Sequence, residues 1–156
     1  MILYQENFFD QTEIDYMLSL WNENESLFSD YVISFYYINF MTNDLDLTPI
    51  QNGIFERKKF HKMRLQKYNE SFKQIDEYHG HENIHNYIVF LNEDFTGGEL
   101  EFENGLLVKP KKGSLVYFNN DEKHRVKDCI GDRYIFTALG DNEIDIKYKV
   151  RKKSIL

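Results

Sequence analysis

Cysteine, alanine and proline are nearly absent from this chain of 156 residues. Cys129 is the only cysteine, so an intrachain disulfide and a cysteine-built zinc site are both excluded. Ala138 is the only alanine, which argues against a helix-rich domain, since such domains lean on alanine and leucine. The same bias toward Asn, Lys, Ile, Tyr and Phe is what an AT-rich genome, viral or phage for instance, would impose. Basic residues are outnumbered by acidic ones, 19 to 26, for a net charge of −7. The chain therefore lacks the broad positive field that nucleic-acid binding uses, and no nucleic-acid partner is expected. A basic cluster, Lys147, Lys149, Arg151, Lys152 and Lys153, reads as a solvated last strand or tail. No apolar run approaches the length of a membrane span, so no membrane partner is expected. Glu6 and Asp10 stand where a secretory leader would be basic. These absences lead us to expect a soluble, cytoplasmic protein.

What is present is aromatic. Hydrophobic residues make up 42% of the chain and aromatic residues 16%, a content that disfavours disorder and suits one core in one domain over residues 1–156. Residues 2–6 read as a short strand. Asp10 with Glu13 three positions on is a helix-start signal, with Phe9 able to staple onto Ile14. Ile14, Met17, Leu18 and Trp21 follow at helical spacing, so one face should pack on a sheet. Residues 31–41 read as a β-branched and aromatic strand, and 42–47 as a polar break. Pro49 and Gly53 mark turns. Residues 59–68 read as extended, 69–71 as a bend and 72–79 as a further strand. The segment 42–58, lying between two expected strands, is a candidate substrate loop.

From His85 onward short strands recur at even spacing, at about 86–91, 99–103, 106–108, 114–118, 124–127, 132–139 and 144–150. Gly97-Gly98, Asn104-Gly105, Lys112-Gly113, Asn119-Asn120 and Gly131-Asp132 punctuate them. Such regularity predicts a barrel or sandwich. His124 opens one of these strands, and Arg133 opens the next. A histidine offers a transition metal a neutral nitrogen, and an arginine offers a carboxylate a two-pronged fork. On spacing alone, a surface histidine and a sheet-edge arginine are the favoured reading.

The wider pattern is more specific. Phe90-Leu91-Asn92-Glu93-Asp94-Phe95-Thr96-Gly97-Gly98-Glu99-Leu100 is followed by Val108-Lys109-Pro110-Lys111-Lys112-Gly113-Ser114, then His124, then Gly131-Asp132-Arg133-Tyr134. This run closely resembles the iron(II)/2-oxoglutarate-dependent dioxygenases of the prolyl 4-hydroxylase-like group. The resemblance covers most of the chain and is densest over residues 87–139. It implies a mainly β fold, a double-stranded β-helix (jelly roll) with one or two N-terminal helices on the sheet. It further implies iron(II), 2-oxoglutarate and O2, with ascorbate as a candidate reductant, and hydroxylation of a C–H bond in a small-molecule or peptide substrate. By the same resemblance His124 is similar to the distal iron ligand. Arg133 is similar to the residue that holds the far carboxylate of 2-oxoglutarate. Gly97 and Gly98 would form the tight turn.

The group's upstream metal motif, His-x-Asp or His-x-Glu, is missing. His61, His79, His81 and His85 are followed two positions on by Met63, His81, Asn83 and Tyr87. Three substitutes remain open. If Tyr68 and Ser71 stand for the group's Tyr-x-x-Gly, the ligand position falls near Glu77-Tyr78-His79. Glu77 and His79 would then supply a carboxylate and a histidine, since residues two apart on a strand share a face. Alternatively Tyr78-His79-Gly80-His81 carries the motif with a histidine in place of the acid. In the third, Gln74 and Asp76 occupy its place. The expected metal set is Glu77, His79 and His124, with His81, His85 and His61 read as loop or exposed residues. A member that keeps the barrel and binds a ligand without turnover is the rival reading, motivated by the missing motif. A cupin-like metalloenzyme that does not use 2-oxoglutarate is a third.

Overall fold

The computed structural model describes residues 2–27, 29–31, 35–80, 84–119 and 122–141, with side chains at 29–31 left aside. Twelve strands and one α-helix make up these residues. The strands are β1 (Ile2–Gln5), β2 (Ser29–Tyr31), β3 (Phe35–Asn39), β4 (Lys62–Tyr68), β5 (His85–Phe90), β6 (Thr96–Gly97), β7 (Leu100–Phe102), β8 (Leu107–Val108), β9 (Leu115–Asn119), β10 (His124–Val126), β11 (Cys129–Ile130) and β12 (Arg133–Gly140). The helix, α1, spans Gln11–Glu23. A seven-stranded antiparallel sheet runs in the order β1-β9-β5-β12-β4-β3-β2. Smaller sheets of order β10-β7-β8 and β11-β6 complete a mainly β jelly roll. Its longest strand, β12, pairs with β4 on one side and β5 on the other.

Strand alternation divides the interior in two. Phe136 and Ala138 on β12, Met63 and Leu65 on β4, Tyr87 and Val89 on β5, and Leu115 and Tyr117 on β9 face one core. Helix α1 closes that core with Ile14, Met17, Leu20 and Trp21. The opposite faces of the same strands present Ile135, Tyr68, Ile88, Phe90, Val116 and Phe118 to a second core. Leu100, Phe102 and Val108 of the small sheet cover this second core, which is the inside of the roll.

Helix α1 begins where its sequence predicts. The Asp10 carboxylate accepts the Glu13 amide at 2.8 Å and the Glu13 carboxylate accepts the Asp10 amide at 3.0 Å, a complete capping box. Leu20 takes the buried place expected of Leu18, which sits at the edge of the stripe and is half-buried against the same core.

Three expectations are corrected. Residues 31–41 are not one strand: β2 folds back on β3, pairing Tyr31 with Phe35 and giving β3 a second neighbour. Residues 72–79 do not form a strand, because they find no continuous partner; only His79 makes a bridge, to His124. The segment 42–58 is not an open loop. Leu47, Ile50 and Phe55 are buried in the helix-side core, and two 3-10 turns, Gln51–Gly53 and Arg57–Lys59, shape it. The expected strand at 144–150 lies outside the described residues.

Phe136 is fully buried and meets Phe9, Phe40 and Phe55 at ring separations of 6.2, 5.8 and 5.0 Å. Truncating it leaves an aromatic-sized void where three elements meet. Phe136→Ala should cost about 3–5 kcal/mol of unfolding free energy, read from urea denaturation.

Candidate functional site

Arg133 is the first residue of β12 and lies on the inner face, directly beside Tyr68 of β4. It is only 1% exposed. Its guanidinium stacks over the Tyr68 ring at 4.6 Å and sits 5.5 Å from the Phe90 ring. Arg133 Nε donates to the Gly98 carbonyl at 3.0 Å. Arg133 Nη1 is buried with no hydrogen-bond partner. Among the described residues, no carboxylate forms an ion pair with this arginine. Burial pulls its pKa below the ordinary arginine value and raises that of Tyr68. A buried cation without a counter-charge is costly unless an anion completes it. The orphaned Nη1 therefore fits an incoming carboxylate.

Gly98 makes room for this arrangement. Its φ is +70°, and a Cβ there would lie 2.7 Å from Arg133 Cδ and 3.0 Å from Nε. The sequence reading took Gly97 and Gly98 as turn residues. Gly98 also supplies the carbonyl that anchors the arginine and the space through which the side chain passes.

His124 opens β10 on the inner face of the small sheet, opposite Phe102. It is buried, with the Phe118 ring 4.6 Å away and the Phe102 ring 6.2 Å away. His124 Nδ1 lies 3.2 Å from the Glu122 carbonyl oxygen. A proton donated there would leave the lone pair on Nε2, as a metal-binding tautomer requires. His79 is joined to His124 by two backbone bonds, each amide donating to the other's carbonyl at 2.9 Å. The two imidazoles consequently stand side by side, with ring centroids 4.4 Å apart. Nitrogen ligands bind a metal at about 2 Å, so one ion could bridge this pair.

The other candidates are placed as follows. Glu77 is exposed at a bend, and Asp76 is exposed as well. Among the described residues, no three His, Cys, Asp or Glu side chains converge on a common point. His81 lies outside the described residues. The Gln74 amide donates to the Asp128 carboxylate at 2.6 Å. His61 is exposed and paired with Asp141 at 2.7 Å. His85 is not a loop residue: it begins β5 and sits 2.6 Å from the Tyr117 hydroxyl, on the helix-side face.

Sequence reasoning missed the outer-face cluster behind His79. The Tyr78 hydroxyl donates to Glu101 Oε1 at 2.5 Å, and Arg125 Nη2 reaches the same oxygen at 3.1 Å. The Tyr78 hydrogen bond holds the Glu101 carboxyl below its usual pKa. The cross-strand pairing of Glu101 with Arg125 could have been inferred from strand alternation. The reach of Tyr78 could not, because its segment is not a strand.

The profile of the 2OG-Fe(II) oxygenase superfamily matches residues 59–139. No curated protein matches at the sequence level. Solved structures match over most of the chain. An oxidoreductase of the 2OG-Fe(II) oxygenase family from Burkholderia pseudomallei superposes with a TM-score of 0.67 at 14% identity, over 92% of this chain and 85% of that one. A prolyl-4-hydroxylase from Pseudomonas putida gives 0.62 at 12% identity, over 91% and 93%. A Trichoplax adhaerens prolyl hydroxylase, solved with a hypoxia inducible factor peptide fragment, gives 0.64 at 17% identity, over 95% and 85%. These likenesses bear out the fold and the resemblance read from residues 87–139.

Two outcomes follow for the arginine pocket. Arg133→Met replaces an uncompensated buried charge with an apolar chain of similar length. It should raise ligand-free stability by about 1 kcal/mol or more in urea denaturation, while abolishing the thermal shift given by 2-oxoglutarate. Gly98→Ala should leave Arg133 charged but displaced, lowering both the melting temperature and the 2-oxoglutarate shift in the same scan.

Proposed function

The chain belongs to the 2OG-Fe(II) oxygenase superfamily, and from that premise we propose that it hydroxylates a C–H bond of a peptide or small-molecule substrate, using 2-oxoglutarate held by Arg133 and iron(II) held by His79 and His124. The observation that carries this reading is the buried Arg133 guanidinium, with no ion pair to a described carboxylate and with Nη1 lacking a hydrogen-bond partner, which shares the inner core of the roll with the walls around His124. A dicarboxylate suits that interior: one end meets the guanidinium and the other is left for the metal.

The protein's part is orientation and exclusion of water. Arg133 fixes the far carboxylate, with the Tyr68 ring against the guanidinium and the Tyr68 hydroxyl tied to Gln66 at 2.6 Å. Phe90, Phe102 and Phe118, each about fully buried, keep the space between the two ends dry. When bound, iron(II) supplies a chelation site for the ketoacid and activation of O2. His124, buried among aromatic rings, and His79, tied to it through the backbone, are the two imidazole donors. The third donor is drawn from Glu77 and His81, the residues two positions either side of His79. Glu77 stands at a bend rather than in a strand that would align it with His79, so we favour His81, which makes a neutral three-histidine set.

The Trichoplax relative carries a peptide in its structure, which makes a peptidyl substrate the first class to assay here. Ascorbate is the reductant to include.

Anaerobic addition of iron(II) and 2-oxoglutarate should give a visible charge-transfer band, and aerobic incubation should release succinate. His124→Ala and His79→Ala should each remove the band. His81→Gln should weaken iron binding by tenfold or more while Glu77→Gln leaves it near wild type. The reverse ranking would return the carboxylate to Glu77. Wild-type protein that binds 2-oxoglutarate through Arg133 but takes up no iron would be a dicarboxylate-binding module instead.

A further inference from the structure

The segment that brings His79 to His124 has little structure of its own. Between Phe72 and Gly80 there is no helix or strand beyond the one bridge. Two backbone hydrogen bonds are a weak hold, and a shift of one residue would turn His79, exposed but ring to ring with His124, away from that histidine and put Tyr78 in its place. Something must select the register.

The outer face of the small sheet offers that selection. Alternation puts Phe102 and His124 inside, so their strand neighbours Glu101 and Arg125 lie outside. Tyr78, next to His79, lies on the same outer side. Its hydroxyl meets Glu101 Oε1 at 2.5 Å, and the Arg125 guanidinium lies 4.3 Å over its ring. Arg125 Nη1 donates to the Asp76 carbonyl at 2.6 Å, while its Nη2 bonds Glu101 at 3.1 Å. Lys127 stands 3.7 Å from the other Glu101 oxygen. Three groups thus converge on one carboxylate, and one guanidinium ties that carboxylate to the loose segment. Surface ion pairs contribute little to stability, about 0–1 kcal/mol, so geometry is the more telling consequence of this cluster. The three contacts that involve the segment, Tyr78 hydroxyl to Glu101, Tyr78 ring under Arg125 and Asp76 carbonyl to Arg125, depend on its register, whereas Glu101 pairs with Arg125 and Lys127 whatever the segment does.

We propose that Tyr78, Glu101 and Arg125 are positioning residues that clamp the upstream segment in the one register that aims His79 at His124. The proposal rests on the reading of His79 as a metal ligand only for its consequence in metal binding; the register itself can be measured on metal-free protein.

The test uses Tyr78→Phe, which removes only the hydroxyl, and Glu101→Gln, which removes the charge. In each variant, hydrogen exchange of the His79 amide in metal-free protein should speed up at least tenfold, with the urea midpoint unchanged. Cobalt(II), titrated as a spectroscopic substitute for iron, should bind about tenfold more weakly. Arg125→Lys keeps the charge but cannot bond both Asp76 and Glu101, so it should fall between wild type and Arg125→Ala. Unchanged protection of the His79 amide in both Tyr78→Phe and Glu101→Gln would overturn the clamp. Cobalt binding that survives His79→Ala would instead overturn the ligand reading and leave the exchange result to judge the clamp alone.

Discussion

The architecture depends on the period-two alternation of β12, held in register by β4 and β5. Arg133, Ile135 and Thr137 face the inside of the roll; Phe136 and Ala138 face the helix-side core. A single strand therefore contributes to the aromatic core on one side and carries the buried Arg133 on the other. The separation is strict because a one-residue slip would turn Phe136 to the inside of the roll and drive Arg133 into the aromatic core. The Phe136 contacts with Phe9, Phe40 and Phe55 oppose that slip, so the aromatic core indirectly holds the arginine in place.

That core has a cost to offset. Arg133 loses its water, and no described carboxylate replaces it. The Gly98 carbonyl and the Tyr68 ring recover only part of the lost solvation. The protein thus carries local destabilisation around Arg133, a known way of reserving favourable interaction for a ligand. Gly98 belongs to the same economy of space, since a side chain there would occupy the path of the arginine.

Most of the second half of the fold was legible in the chain. Glycine turns and short apolar runs announced β5, β7, β8, β9, β10 and β12 to within a residue or two, because their signals are local. Asp10 and Glu13 announced α1 for the same reason. The two-residue strands β6 and β11 were not legible, since Thr96-Gly97 lies inside a glycine turn and Cys129-Ile130 carries no alternation, whereas β8, equally short, follows the Asn104-Gly105 turn. The β2–β3 hairpin was hidden because an unbroken β-branched, aromatic run masks its own reversal. Residues 72–79 look like a strand by composition, yet whether a strand forms is decided by a partner, and the partner is available only at His79. Of the candidate residues, Arg133 and His124 could be placed at the starts of their strands because both follow local turn signals.

The upstream half of the site was hard to read for a deeper reason. A metal motif written as residue types at fixed spacing assumes that the backbone between them is extended. Here the backbone is irregular up to His79, and long-range contacts decide which residues face inward. Glu77 and His79 share a face only in a continuous strand, and at Glu77 the chain bends. What aims His79 is its pairing with a residue 45 positions away, together with outer-face contacts made by Tyr78 to β7 and β10. Tertiary contacts, rather than local spacing, set the direction of His79 here. The downstream histidine needs no such support, because it is already part of a sheet.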